Sequence, residues 1–311
     1  MGILNESAVA DARTLFETLT NSALQSARAN GAYSRLARVV DGATGIAHET
    51  VIAGATPTWA EWTDEADFGG ARKYSRRTPL KKYHKTLALD RVQVTQDQDG
   101  STASLMQSFL TSNGVEYLFD KLVFDSLNSN PTGVDGVAIL SDTHPYGSST
   151  TWDNKNAGAL TFASFQTEVE RMMGLLDEHG EPLDLQPKVL VVGTGQRQIA
   201  KEIVGAEDRP VAVATSGSHA SGTVGATQIT NIYKADNWEL IVTPRMSSTN
   251  WCIVDPRFPP LKLVIWRKPE PIILDDMNGE HRARKDEFLY KLEADIAADG
   301  EQPWGIAGYI A

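Results

Sequence analysis

Cysteine is almost missing from this sequence. Cys252 stands alone among 311 residues, which excludes an intrachain disulfide and a thiolate metal cage. Long apolar runs are missing too, and nothing approaches the roughly 18 residues a membrane span needs. The opening residues Met1 to Glu6 have neither a basic n-region nor an apolar h-region, so they do not read as a secretory signal. Glu6 also stands where a myristoylation site wants Ser or Thr. These absences suit a chain made in a reducing cytoplasm. Positive charge is short as well: the formal net charge is −11, whereas coating nucleic acid needs a concentrated basic face that releases counterions. There is no internal repeat and no low-complexity tract. What remains is ordinary for a globular protein with a real core, 41% hydrophobic and 22% charged. The length suits one large domain or two modest ones.

Apolar residues at three- and four-residue spacing (Val9, Ala12, Leu15, Phe16, Leu19) predict a helix over 6–28. Residues 51–70 have little periodicity and hold Gly54, Pro57, Trp59, Trp62 and the acids Glu61, Asp64, Glu65 and Asp67, which suits an extended loop. The stretch that follows is basic: Arg72, Lys73, Arg76, Arg77, Lys81, Lys82, Lys85 and Arg91. One reading is a solvated hairpin of mixed charge. The other is a pair of complementary patches that dock on a neighbouring copy of the chain. A strand is expected over 83–95. A long helix follows over 104–128, its stripe formed by Leu105, Phe109, Leu118, Leu122 and Val123, with Gly114 as its weak point.

Thr161 is a plausible N-cap for a helix with Phe162, Phe165, Val169, Met172, Met173 and Leu176 turned to a core and Gly180 stopping it. Val189 to Val192 reads as a buried strand, with a short helix over 196–204. A Ser/Gly-rich loop covers 215–226. Strands are expected over 238–243, 251–255 and 261–266. The alternation of Phe288, Tyr290, Leu292, Ala294 and Ile296 predicts a half-buried strand.

No catalytic constellation emerges. Gly193-Thr194-Gly195 sits where a phosphate-binding turn would lie, but the dinucleotide fingerprint wants a third glycine where Gln198 stands, and no Walker lysine follows. Asp142 and His144 place a carboxylate near an imidazole, yet no second histidine lies three or four residues away, so a hydrogen-bonded turn is expected. Gly-x-Ser-x-Gly does not occur, and Ser216 and His219 lie in a loop poorly suited to a preorganised site. Cys252, between Trp251 and Ile253, has the surroundings of an inert core thiol. No cofactor, metal or enzymatic activity is expected.

Several segments, in order, resemble the major head subunit family of Mu-like phages. Pro57-Thr58-Trp59-Ala60-Glu61-Trp62 is similar to that family's Pro-x-x-x-Glu-Trp segment. The resemblance continues through Tyr83 to Arg91, the Gln96 to Gly100 turn, Asp135-Gly136 with Ser141-Asp142-Thr143-His144-Pro145, Asn156-Ala157-Gly158, the 187–192 strand, and Asp286-Glu287-Phe288-Leu289-Tyr290. Pro303-Trp304 lies where an aromatic tail is usual. Lys291 and Glu293 depart from the family's closing pattern.

The resemblance implies an α+β fold of the Hong Kong 97-like capsid type, with an N-terminal arm (1–49), an extended E-loop (50–85), a peripheral domain with a long spine helix (86–156 and 251–311) and an axial domain (157–250). It implies a major capsid protein that assembles with itself, as hexamers and pentamers, into an icosahedral head. Decoration, scaffold and portal proteins would be further partners, and double-stranded DNA would be weakly contacted contents. The chain would assemble in the host cytoplasm and end in the virion. Candidate contacts between subunits are the aromatics Trp59, Trp62, Phe68 and Tyr74 with Arg72, Arg76, Arg77, Lys81 and Lys82. Two alternatives stand beside this reading: an encapsulin-type nanocompartment shell and a soluble α/β enzyme.

Overall fold

A computed structural model of the chain describes residues 6–42, 47–53, 73–90, 92, 94, 101–111, 115–146, 150–177, 180–212, 226–274 and 285–311. The chain divides into two compact units.

The first unit gathers residues 1–51, 75–126 and 261–299. Its sheet joins β1 (Ala37–Asp41), β12 (Leu261–Leu274), β13 (Glu287–Gly300) and β4 (Lys81–Asp90) in that order. β1 runs parallel to β12, and β13 runs antiparallel to β4 with Phe288 opposite Leu89 and Leu292 opposite Lys85. Helix α1 (Glu6–Asn30) supplies Ala12 and the fully buried Phe16 to a core shared with Leu89, Met106, Phe288, Tyr290 and Leu292. The Phe16 and Tyr290 rings meet at 5.4 Å, a spacing that favours tilted aromatic pairs. The expected alternation of β13 holds at Phe288, Tyr290, Leu292, Ala294 and Ile296. Its opposite face is not solvent, however: Glu293, Asp295 and Asp299 are also buried, so the strand is covered on both sides in its second half.

The expected 104–128 helix is described as α2 (Ser101–Thr111) and α3 (Val115–Asn128), with Gly114 among residues outside the described set. Phe119, Leu122, Val123, Phe124 and Leu127 carry α3's burial. Leu105 was expected on the apolar stripe but is 44% exposed, and the next residue, Met106, takes the core position. β4 ends at Asp90, short of the expected strand end at Thr95, which lies outside the described residues.

The second unit gathers residues 52–74, 127–260 and 300–311. Its sheet order is β10 (Glu239–Thr243), β7 (Val189–Gly193), β11 (Trp251–Val254) and β14 (Ile306–Tyr309). β10 is parallel to β7, while β11 is antiparallel to both β7 and β14. β7 and β11 are buried at every residue, which explains why they read as unbroken apolar runs without alternation. Helix α4 (Phe162–Met173) starts at Thr161 in a reciprocal cap: Thr161 Oγ1 accepts from the Ser164 N–H, and the Thr161 N–H donates to Ser164 Oγ. It stops at Gly174 and not at Gly180, which sits in a later turn at φ +87°. Met173 and Leu176 are consequently exposed, at 57% and 43%, contrary to expectation. Helix α5 (Arg197–Gly205) buries Ala200, Ile203 and Val204.

Residues 127–156 and 251–260 group by contact with this second unit. The Ser/Gly-rich loop, Ser216 and His219 lie outside the described residues.

Candidate functional site

The glycines of the Gly193-Thr194-Gly195 turn are explained by packing. A Cβ on Gly193 would stand 2.1 Å from the Ser247 carbonyl oxygen, and one on Gly195 would stand 2.8 Å from that of Ser248. Those distances forbid any side chain, so the glycines let a loop lie against the turn with no phosphate to account for. Cys252 is fully buried, and burial pushes its thiol up to about 12. A thiolate nucleophile is therefore not available there.

His144 does not pair with Asp142, which is exposed. Its partner is Asp135, whose Oδ2 lies 2.6 Å from Nδ1, and the ring stacks on Trp152 at 4.3 Å. Nε2 faces the Ile139 carbonyl at 3.2 Å and Asn154 Oδ1 at 3.0 Å. The orientation of Asn154 is unambiguous. Its Nδ2 donates to the carbonyls of Ile139, Pro303 and Ile306, and its Oδ1 accepts from the Ser141 N–H. Turning the amide over would set oxygen against three oxygens. Both ring nitrogens thus face oxygen atoms. The network ties residues 135–154 to the C-terminal segment, and among the described residues no group of His, Cys, Asp and Glu could hold a metal ion.

The basic stretch divides into two sets. Hairpin strands β2 (Ala47–Ala53) and β3 (Lys73–Pro79) pair with one another. On β3, Arg76 makes a two-pronged pair with Asp299, at 2.9 and 2.8 Å. On β4, Lys82 pairs with Glu293 at 3.2 Å. Lys85 donates to the Phe109 carbonyl at 2.9 Å and lies over the Phe109 ring, and burial lowers its pKa. Glu293 also accepts from Lys291 and Arg267. Lys291, and after it Lys82, hold its carboxyl down to about 2. Three cations of the stretch are therefore engaged inside their own subunit.

Arg77 and Lys81 are exposed and make no ion pair with a described residue. Tyr74 is half-buried on β3. Trp59, Trp62, Phe68 and Arg72 lie outside the described residues. Asp299, Glu293 and Asp295 were missed by the sequence reading. Their signal was the odd-numbered acidic face of β13, and their partners come from strands far away in sequence.

The family model described as phage capsid protein matches residues 73–307, three quarters of the chain. The chain belongs to the phage capsid protein family. It is a capsid shell protein, and the match favours that role over the encapsulin-type alternative. Solved structures agree on the fold. The procapsid of bacteriophage JBD30 is 16% identical with a TM-score of 0.51, covering 99% of this chain and 76% of that one. A structure from Microbacterium phage Oxtober96 is 13% identical with a TM-score of 0.52, covering 90% of each chain. The virus-like particle of Pyrococcus furiosus is 12% identical with a TM-score of 0.50, covering 94% of this chain and 97% of that one. These likenesses fit the expected Hong Kong 97-like fold of mixed helix and strand. No curated protein sequence matches. Among the described residues, no helix is long and apolar enough to cross a membrane.

Proposed function

We propose that this capsid protein is the major head subunit of a Mu-like phage, building the shell from hexamers and pentamers of itself. The observation that carries this reading is the ordered series of motifs from Pro57 to Tyr290, which a chance match would not keep in register over the length of the chain. In this reading residues 1–49 act as an arm and 50–85 as an extended loop on the β2–β3 hairpin. Residues 86–156 with 251–311, and 157–250, serve as the peripheral and axial parts. Trp59, Trp62, Phe68 and Tyr74 supply buried area to a neighbouring copy. Burying a large apolar side chain yields ~1.5–3 kcal/mol, and many copies multiply that gain.

Among the described residues, Arg77 and Lys81 are exposed cations of this stretch that can meet a neighbour's acidic residues, while Arg76 and Lys82 support the strands from within. The net charge of −11 suits an inner wall that does not adhere to packed DNA. A JBD30 capsid is described as decorated with minor capsid protein trimers, which supports decoration as a further partnership here, beside scaffold and portal proteins. Electron microscopy of the purified, expressed chain tests the reading. Closed shells are expected, and the double variant Arg77→Glu, Lys81→Glu should block or slow their formation while the subunit's circular dichroism stays unchanged. Normal shells from that variant, with a defect confined to DNA packaging, would assign these cations to nucleic acid instead.

A further inference from the structure

Strands β2 and β3 are fastened to the sheet of the first unit at two points, and both fastenings are polar and buried. On β3, Arg76 Nε and Nη2 donate to Asp299 Oδ2 and Oδ1, and Thr78 Oγ1 donates to Asp299 Oδ2 at 2.8 Å. On β2, Thr50 Oγ1 accepts from Lys262 Nζ at 2.9 Å. Thr50, Thr78, Lys262 and Asp299 are all buried. Lys262 and Asp299 stand on β12 and β13, which are neighbours in the sheet.

We propose that this clasp sets the direction in which the hairpin leaves the sheet, and that shell assembly depends on that direction. The proposal rests on the reading of the hairpin as the element that reaches a neighbouring copy. Two-stranded ribbons are marginal by themselves, so the root decides where the strands point. Buried ion pairs add little stability over a well-packed apolar pair. What an Arg–carboxylate fork adds is a fixed plane and angle, which a lysine's point charge does not supply. Angle matters here because of leverage. From Thr78 to Lys73 the strand runs five residues, roughly 17 Å at about 3.3 Å each. A slip of about 10° at the root would therefore move its far end by roughly 3 Å, enough to spoil a packed interface.

The experiment compares Arg76→Lys, Asp299→Asn and the double variant Trp59→Ala, Trp62→Ala with the unaltered chain. Two readouts are taken: thermal melting of the free subunit, and the size distribution of assembled particles by sedimentation and electron microscopy. Arg76→Lys, which keeps the charge, should melt within a few degrees of the unaltered subunit, and Asp299→Asn, which leaves Arg76 without its buried partner, should melt lower; both should yield at least tenfold more misshapen or open particles. Uniform particles from Arg76→Lys and Asp299→Asn, with only the melting point lowered, would show that the clasp merely stabilises the subunit. Should Asp299→Asn fail to fold, Arg76→Lys decides the matter, because Arg76 is a quarter exposed and tolerates the change. The tryptophan variant separates the two readings. If it stops assembly while the clasp variants assemble uniformly, the clasp proposal alone fails. If it and the clasp variants all assemble normally, the interface reading fails with it.

Discussion

Replacing Asn154 with Ala removes the group at the centre of the His144 network, and the structure allows the cost to be worked out. Asn154 Nδ2 reaches the carbonyls of Ile139, Pro303 and Ile306 at 2.7, 2.9 and 3.0 Å, while its Oδ1 accepts from Ser141 N at 2.9 Å and lies 3.0 Å from His144 Nε2. The residue is buried, so bulk water does not replace these partners. Each buried group left unpaired costs about 1–3 kcal/mol. The space vacated by the amide is polar and can admit a water that restores part of the bonding. A net loss of about 3–5 kcal/mol follows, a large share of the ~5–15 kcal/mol that holds a typical protein folded. Asn154→Asp should be worse, because it sets a carboxylate against three carbonyl oxygens. Urea unfolding of the free subunit measures both variants, with exposed Asp142→Ala as a control expected within about 0.5 kcal/mol of the unaltered chain. A loss below about 1 kcal/mol for Asn154→Ala, or an Asp variant as stable as the Ala one, would refute the reasoning.

Thr161→Ala removes one half of the reciprocal cap on α4 and should cost about 1 kcal/mol, read as a lower urea midpoint with an unchanged slope. Glu168 is buried, its Oε2 accepts no hydrogen bond and lies 3.4 Å from Arg171 Nη1, and burial raises its carboxyl above the ordinary range against the opposing pull of Asn156 and Arg171. Its charged form is thus disfavoured in the folded state, and that cost fades as pH falls through the raised value. Glu168→Gln should accordingly stabilise the subunit at neutral pH and lose its advantage in acid; a neutral or destabilising effect at pH 7 would contradict this. Glu293 is the reverse case. Lys291 and Lys82 hold its carboxyl at about 2, so the stability it contributes is present above about 4.5 and is lost as pH drops toward 2, a decline Glu293→Gln should remove. Cys252 should resist an aromatic disulfide reagent in the folded subunit and react fully once urea unfolds the chain.

Local pattern alone determined a good part of this protein. The α1 stripe, the Thr161 cap, the apolar β7 run and the alternation from Phe288 to Ile296 are written in neighbouring residues, because periodicity and capping act over a few positions. The missing catalytic and metal patterns, and the motif order that placed the chain among capsid proteins, are likewise sequence properties. Long-range pairing could not be read there. Asp135 and not Asp142 meets His144, because a turn brings a residue nine positions back alongside the ring. Met106 displaces Leu105 from the core, because the exact facing of a helix is set by what packs against it. Arg76 and Lys82 look in sequence like free cations of a basic run, and only the fold sets them against Asp299 and Glu293, more than two hundred residues away. A charge's partner depends on proximity in space, which sequence order does not encode.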